Sequence, residues 1–154
     1  MSEIRRIEDQ LRRAFEGEAW HGPALLTLLR TLTAAQAAAR PLPGAHSIWE
    51  IVRHISVWED VVRRRLEGEE ITDLPPEQDW PLVPEPGEAA WKETRGELEA
   101  RHRALRQAIL GLEESRLGET VRGKNHSVYV MLHGVVQHDL YHAGQVALLR
   151  RALR

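Results

Sequence analysis

The sequence predicts an all-α protein built as a four-helix bundle. Apolar residues recur every three or four positions in four long segments, the spacing of one face of an amphipathic helix. The chain has no strand-like alternation of convincing length and no internal repeat. One long proline-rich connection joins the second and third bundle helices, whereas the other connections are shorter.

The composition narrows the class of protein. A chain of 154 residues suits one hydrophobic core, so residues 1–154 are predicted to form a single domain. Cysteine is absent, which leaves histidine and carboxylate as the strong metal ligands. The absence of cysteine also fits a reducing compartment. No apolar run approaches the roughly 20 residues of a membrane helix, and the N-terminal residues lack the apolar core of a signal peptide, so we expect a cytoplasmic protein without a membrane partner.

The charge pattern argues against a nucleic-acid partner. The formal net charge of -2 comes from 21 basic and 23 acidic residues mixed along the chain, which gives no strong basic field. Arg63, Arg64 and Arg65 form the densest basic run. They stand in the predicted last turn of a helix before Gly68, where cations complement the helix dipole, so a solvated helix end is predicted.

Two helices are predicted before residue 40. A short extra helix over residues 3–16 ends before Gly17. The chain then breaks at residues 21–23, and Pro23 can begin the first bundle helix. The apolar positions that define the two helices are Ile4, Ile7, Leu11 and Phe15, then Leu25, Leu26, Leu28, Leu29 and Leu32.

Ser47 and Glu50 have the Ser-x-x-Glu spacing of a capping box, so the second bundle helix should begin near Ile48. Its apolar stripe is Ile48, Ile51, Val52, Ile55, Trp58, Val62 and Leu66. Prolines should deny regular structure to the connection over residues 69–87, which could cross the end of the bundle or cover a site. The third and fourth bundle helices are predicted over about 88–112 and 127–153.

Two histidines of the fourth helix are the strongest sign of function. His138 and His142 are four residues apart and therefore project side by side, about one turn apart. Both fall on the apolar stripe that should face the core. Buried imidazoles need metal coordination or a full set of hydrogen bonds. A pair with this spacing also arises by chance in a chain with eight histidines, so both interpretations stay open.

His54 strengthens the metal interpretation because it lies at the edge of the second helix's stripe and can reach the bundle interior. Three imidazoles from two helices would leave a coordination position open, as in catalytic sites. His102 is either a fourth contributor or, preferably, a hydrogen-bonded core residue. The other histidines are less persuasive. His133 points to another face, whereas His21, His46 and His126 lie beside predicted helix starts, where capping or exposure is expected; His21 could still approach the site.

The neighbours of these histidines suggest supporting roles. Glu50 lies one turn before His54 and could orient it, but the capping role is favoured. Asp139 and Tyr141 flank the histidine pair and face about 100° away from it, so packing or a subunit contact is predicted. Gln145, one turn beyond His142, is better placed to form a hydrogen bond with a metal-binding histidine.

Three stretches together resemble the DinB/YfiT-like metalloprotein superfamily: Trp-His-Gly-Pro at 20–23, His-Ser-Ile-Trp-Glu-Ile-Val-Arg-His at 46–54, and His-Asp-Leu-Tyr-His-Ala-Gly-Gln at 138–145. The resemblance spans nearly the whole chain. It implies that His54, His138 and His142 bind zinc, nickel or a related divalent ion. It also implies a homodimer and metal-dependent transfer chemistry on low-molecular-weight thiols such as bacillithiol, mycothiol or glutathione.

The sequence therefore favours a metal-dependent transferase or hydrolase that acts on a small molecule, with thiol S-transfer as the preferred reaction. The bound ion would activate water or a thiol. The alternatives are a metal-holding or stress-associated dimeric protein without turnover, and an interaction module whose histidines are only hydrogen-bonded. No set of residues selects a particular thiol.

Overall fold

Four long helices pack around a common interior in the computed structural model, which describes residues 1–153, and this confirms the predicted all-α bundle. The long helices are α1, α4, α6 and α7. The bounds are α1 Glu3–Phe15, α2 Leu25–Leu29, α3 Ala34–Ala38, α4 Ile48–Leu66, α5 Pro76–Asp79, α6 Glu88–Leu110 and α7 Val128–Ala152, with a 3-10 helix at Glu114–Gly118. Within residues 1–153, strand-like pairing is limited to an isolated bridge between Thr120 and Ser127.

The first two helices differ from the prediction. Helix α1 packs on α6 and α7 through Ile7 and Leu11, so the helix expected to be an extra one is itself a bundle helix. The leucine-rich segment after Pro23 forms the short helices α2 and α3. A capping box explains the break: Thr33 Oγ1 accepts from the Gln36 amide and Gln36 Oε1 accepts from the Thr33 amide, which starts a new helix.

Helix α4 begins where the sequence predicts. Ser47 Oγ accepts from the Glu50 amide at 3.2 Å, and Glu50 Oε2 accepts from the Ser47 amide at 2.7 Å. The end of α4 differs from the prediction, because Arg65 is only 8% exposed and donates to the carbonyl of Ile71 at 2.7 Å. The expectation of a solvated helix end was therefore wrong for Arg65, which instead fastens the start of the long connection.

The connection over residues 69–87 contains one helical turn, α5. The prediction that its prolines exclude regular structure was wrong here, since a proline is tolerated in the first turn of a helix, where its missing amide has no partner to lose. Helix α5 contacts α4 and thereby brings Asp79 and Trp80 against the bundle.

Buried polar residues separate two apolar clusters in the bundle. One cluster is centred on Trp49 and Trp91, and the other on Leu105 and Leu132. Along each of α4, α6 and α7, buried polar residues lie between the positions that belong to the two clusters. They are Ser56 and Glu59 on α4, His102 on α6, and Asp139 on α7.

Residues 1–153 include no helix long and apolar enough to cross a bilayer.

Candidate metal centre

The structure brings the three predicted ligand residues to one point. His54 comes from α4, while His138 and His142 come from α7, and one ligand atom of each lies within 4.8 Å of the others. The Nε2 atoms of His54 and His138 are 3.0 Å apart. Two imidazoles on a tetrahedral zinc ion, with bonds of about 2.0 Å, would have their nitrogens about 3.3 Å apart. The His54 and His138 rings therefore have the spacing that one ion requires, and the ligand atom of His142 lies within 4.8 Å of both.

Hydrogen bonds to the outer nitrogens orient two of these rings. His54 Nδ1 donates to the carbonyl of Asp79 at 2.8 Å and also lies 3.1 Å from its carboxylate. His142 Nδ1 donates to Gln145 Oε1 at 2.6 Å, the contact expected for Gln145. Donation from Nδ1 leaves a lone pair on Nε2, the atom that a metal would take.

Glu50 does not orient His54. Its carboxylate caps α4 and pairs with Arg40 at 2.5 Å. Glu50 therefore has the capping role that the sequence favoured. Asp79 occupies the place considered for Glu50, and sequence reasoning missed it because it lies in the long connection. Trp58 Nε1 donates to Asp79 Oδ1 at 2.7 Å, which fixes that carboxylate.

Burial keeps the three imidazoles neutral. Desolvation lowers the pKa of His54, His138 and His142 below the ordinary histidine value of 6.5, although Asp79 partly offsets the effect at His54. Neutral imidazole is the form that binds metal. The donor set therefore fits a divalent transition ion at neutral pH.

An aromatic wall covers one side of the histidines. The Trp80 indole stacks on His54 with ring centroids 3.9 Å apart, and on His46 with centroids 3.6 Å apart. His46 thus contributes to this wall, a role that its place near a helix start did not suggest. The long connection covers part of the site through Trp80, as the sequence left open, whereas His21 is exposed and lies outside the histidine group.

A cavity of about 270 Å³ is lined on one side by His138. Its walls are mainly apolar and include Trp58, Val62 and Met131. His138 is the most exposed of the three histidines, with 25% of its side chain accessible. The cavity is therefore where a small molecule would approach the group.

A second group of metal-binding side chains lies deeper in the bundle. Glu59, His102 and Asp139 come from α4, α6 and α7, and none is more than 1% exposed. His102 Nδ1 lies 2.8 Å from Glu59 Oε1, and its ring stacks on Phe15 with centroids 3.7 Å apart. His102 is therefore a hydrogen-bonded core residue, as the favoured interpretation expected, and does not join the three-histidine group.

Asp139 is packed in the bundle core, which agrees with the packing role and not with the subunit contact that the sequence left open. It is 1% exposed and lies in the group with Glu59 and His102. The buried positions of α7 run through 135, 142, 146 and 149, so residue 139 falls in the middle of the buried stripe and His138 at its edge, where the sequence had placed His138 on the stripe. Tyr141 is exposed, in agreement with a surface position.

Glu59 escaped sequence analysis, although its position between Ile55 and Val62 marks a carboxylate on a buried stripe.

Desolvation governs the protonation of this inner group. Burial raises the pKa of Glu59 and of Asp139 to about 8, and it lowers the pKa of His102 to about 4. Asp139 Oδ1 is 3.9 Å from His138 Nδ1, which is too long for a hydrogen bond. In the metal-free protein the two carboxyl groups therefore retain protons at neutral pH.

These shifts predict that metal-free protein becomes less stable as the pH rises from 6.5 to 8. Glu59 and Asp139 stabilise the fold fully below their unfolded pKa values of 4.5 and 3.8, and this contribution is lost as the pH approaches 8. In the unfolded chain the histidines, with an ordinary pKa of 6.5, still hold some protons near pH 6.5 and add an opposite slope, so the loss of stability develops mainly above about pH 7. For each proton that only the folded state retains, the free energy of unfolding falls by about 1.4 kcal/mol per pH unit. Urea unfolding at several pH values, with chelator present, measures this dependence of the free energy of unfolding on pH.

Glu59→Gln supplies the control for this pH dependence, because glutamine keeps the shape of glutamate without its titration. We expect a shallower slope between pH 6.5 and 8. An equal slope in the variant and the parent protein would contradict the assignment of the effect to Glu59.

Gln145→Ala should weaken metal binding about 10- to 100-fold, the usual effect of removing a partner that orients a metal-binding histidine. The amide of Gln145 holds the Nδ1 proton of His142, and alanine would free the ring to rotate. Competition with a chromophoric chelator measures the affinity. Gln137→Ala is the matched control, since residue 137 is exposed on the same helix; equal affinities of both variants would contradict the role of Gln145.

The fold and this site define a class: an α-helical bundle with a candidate histidine metal centre in its interior. A model of the DinB superfamily matches residues 19–146, and the chain belongs to that superfamily. A solved structure, the crystal structure of the conserved protein of locus from Enterococcus faecalis, is similar to this chain. It is 18% identical, has a TM-score of 0.74, and the match covers 99% of this chain and 97% of that one, which shows a shared fold. No curated protein matches the chain.

Proposed function

We propose that this protein is a metal-dependent enzyme that acts on a small molecule, with His54, His138 and His142 holding one divalent transition ion. Zinc and nickel are the preferred ions, because imidazole nitrogen suits both. Thiol S-transfer is the preferred reaction and hydrolysis the second. The observation that carries the proposal is the convergence of three neutral imidazoles beside a cavity.

Neutral ligands matter for the chemistry. An ion bound by three uncharged imidazoles keeps its full positive charge and, when bound, lowers the pKa of a coordinated water or thiol so that a nucleophile forms near neutral pH. The protein's part is to fix the geometry. Asp79 and Gln145 orient two rings, and Trp80 excludes water from the face of His54.

The cavity supports a small substrate. Its volume of about 270 Å³ is just below that of most ligand sites, which usually span about 300–1,000 Å³, so a small molecule is expected. Apolar walls formed by Trp58, Val62 and Met131 favour an organic group over a highly charged one. Since the protein has no cysteine, any thiol must arrive as a cosubstrate.

We also infer a homodimer. Helix α7 exposes large apolar side chains, with Tyr141 66% and Leu148 59% accessible, and these two residues are seven apart and so share a face. Exposed apolar faces of this kind are typical of protein interfaces. Sedimentation analysis should give twice the chain mass.

The test begins with metal analysis of protein purified without a histidine tag. We expect bound ion that His142→Ala loses, and, after cobalt replacement, a visible spectrum that shifts when bacillithiol, mycothiol or glutathione is added. The same thiols are then assayed with small electrophiles. Absence of metal, with no rebinding, would contradict the site. Bound metal with no turnover in thiol-transfer and hydrolase assays would instead support the non-catalytic metal-holding alternative.

A further inference from the structure

We propose that Glu59, His102 and Asp139 form a second divalent-cation site in the bundle interior, separate from the three-histidine site. The three residues come from three different helices. One ligand atom of each lies within 4.8 Å of the others. Facing side chains of a helix bundle commonly supply such sites.

The inner group has polar atoms that the protein leaves without partners. Glu59 Oε2, His102 Nε2 and both carboxylate oxygens of Asp139 are buried and make no hydrogen bond. An unsatisfied buried polar atom costs about 1–3 kcal/mol, and proteins rarely tolerate several in one place. The three carboxylate oxygens are potential ligand atoms for an ion, and His102 Nδ1, which faces Glu59, would supply the nitrogen.

The charge of the inner group also calls for a cation. Within residues 1–153, no lysine or arginine forms an ion pair with Glu59 or Asp139. Burial of unpaired carboxylates is costly unless they are paired or coordinate a metal. A divalent ion bound between them would balance the charge of both carboxylates.

The donor set differs from that of the three-histidine site. One imidazole and two carboxylates combine the preferences of zinc and iron with those of manganese, so we expect a first-row divalent ion such as Mn²⁺, Fe²⁺ or Zn²⁺. Phe15 stacks on His102 and restrains the rotation of its ring, and a metal-binding side chain needs such a restraint. The alternative is a proton shared between the two carboxyl groups, with no ion at all.

Metal content separates these possibilities. Protein without a histidine tag is produced in cells grown with added Mn²⁺, Fe²⁺, Co²⁺ or Zn²⁺, because a fully buried site is best filled while the chain folds. We expect up to two equivalents per chain in the parent protein, and a loss of one equivalent in Glu59→Gln. His142→Ala should lose the other equivalent, and the double variant both. Asp73→Asn, which changes a carboxylate that is 93% exposed, is the matched control and should keep two.

A single equivalent that Glu59→Gln retains and His142→Ala loses, or two equivalents retained in Glu59→Gln, would overturn the second site. Should Glu59→Gln fail to fold, pulsed electron spin resonance of the manganese-loaded parent protein counts the bound nitrogens. One nitrogen is expected at the inner site and three at the histidine site, and a spectrum without a one-nitrogen centre would overturn the proposal. Loss of catalysis alone leaves this stoichiometry unchanged, so failure of the proposed enzyme function is distinguishable.

Discussion

His54→Ala should weaken metal binding at the three-histidine site at least about 100-fold and abolish turnover. Structural zinc sites with four ligands have apparent binding free energies of about 10–16 kcal/mol, or about 3 kcal/mol for each ligand. A loss of that size corresponds to roughly 100-fold in affinity. His54 is also the ligand that α4 contributes, so its removal leaves two neighbouring histidines of one helix.

Chelator competition and cobalt spectroscopy measure this loss of affinity. Turnover is assayed with whichever of the three thiols shifts the cobalt spectrum of the parent protein. His133→Ala is the matched control, because His133 lies on α7 with 38% of its side chain exposed and lies outside both groups of metal-binding residues. The control should keep the parent affinity. Unchanged affinity in His54→Ala would contradict the assignment of this residue as a ligand.

Local patterns predicted much of the fold. The spacing of apolar residues placed α4, α6 and α7 to within a few positions, and the capping box at Ser47 and Glu50 gave the start of α4. These signals depend on short-range geometry, which a sequence displays directly. The same holds for His138 and His142, since a separation of four residues fixes their neighbourhood on any helix.

Long-range contacts were harder to predict. Asp79 and Trp80 reach His54 from a connection whose path depends on how Arg65 and α5 anchor it to the bundle. The sequence placed His138 rather than residue 139 on the buried stripe of α7, because the two positions differ by only about 100° around the helix. Which of them faces the centre depends on how α7 is rotated against its neighbours, and a sequence does not display that rotation.

Trp49→Ala should lower the free energy of unfolding by about 3–5 kcal/mol, the range for truncating a large buried aromatic residue. Trp49 is fully buried on α4, and its Nε1 donates to Thr94 Oγ1 of α6 at 3.0 Å. Its ring also packs against Trp91, with centroids 5.2 Å apart. Alanine would leave a cavity between the two helices that make the most extensive contact in the bundle.

Trp20→Ala is the control for this prediction, because Trp20 is fully exposed and its removal should change stability by less than about 0.5 kcal/mol. Urea unfolding of both variants at one pH, with chelator present, separates packing from metal binding. Trp49 lies five residues before His54 on α4, so a loosened contact between α4 and α6 should also weaken the metal site. A loss of stability below about 1 kcal/mol in Trp49→Ala would contradict the packing argument, since it would mean that the bundle closes over the cavity at little cost.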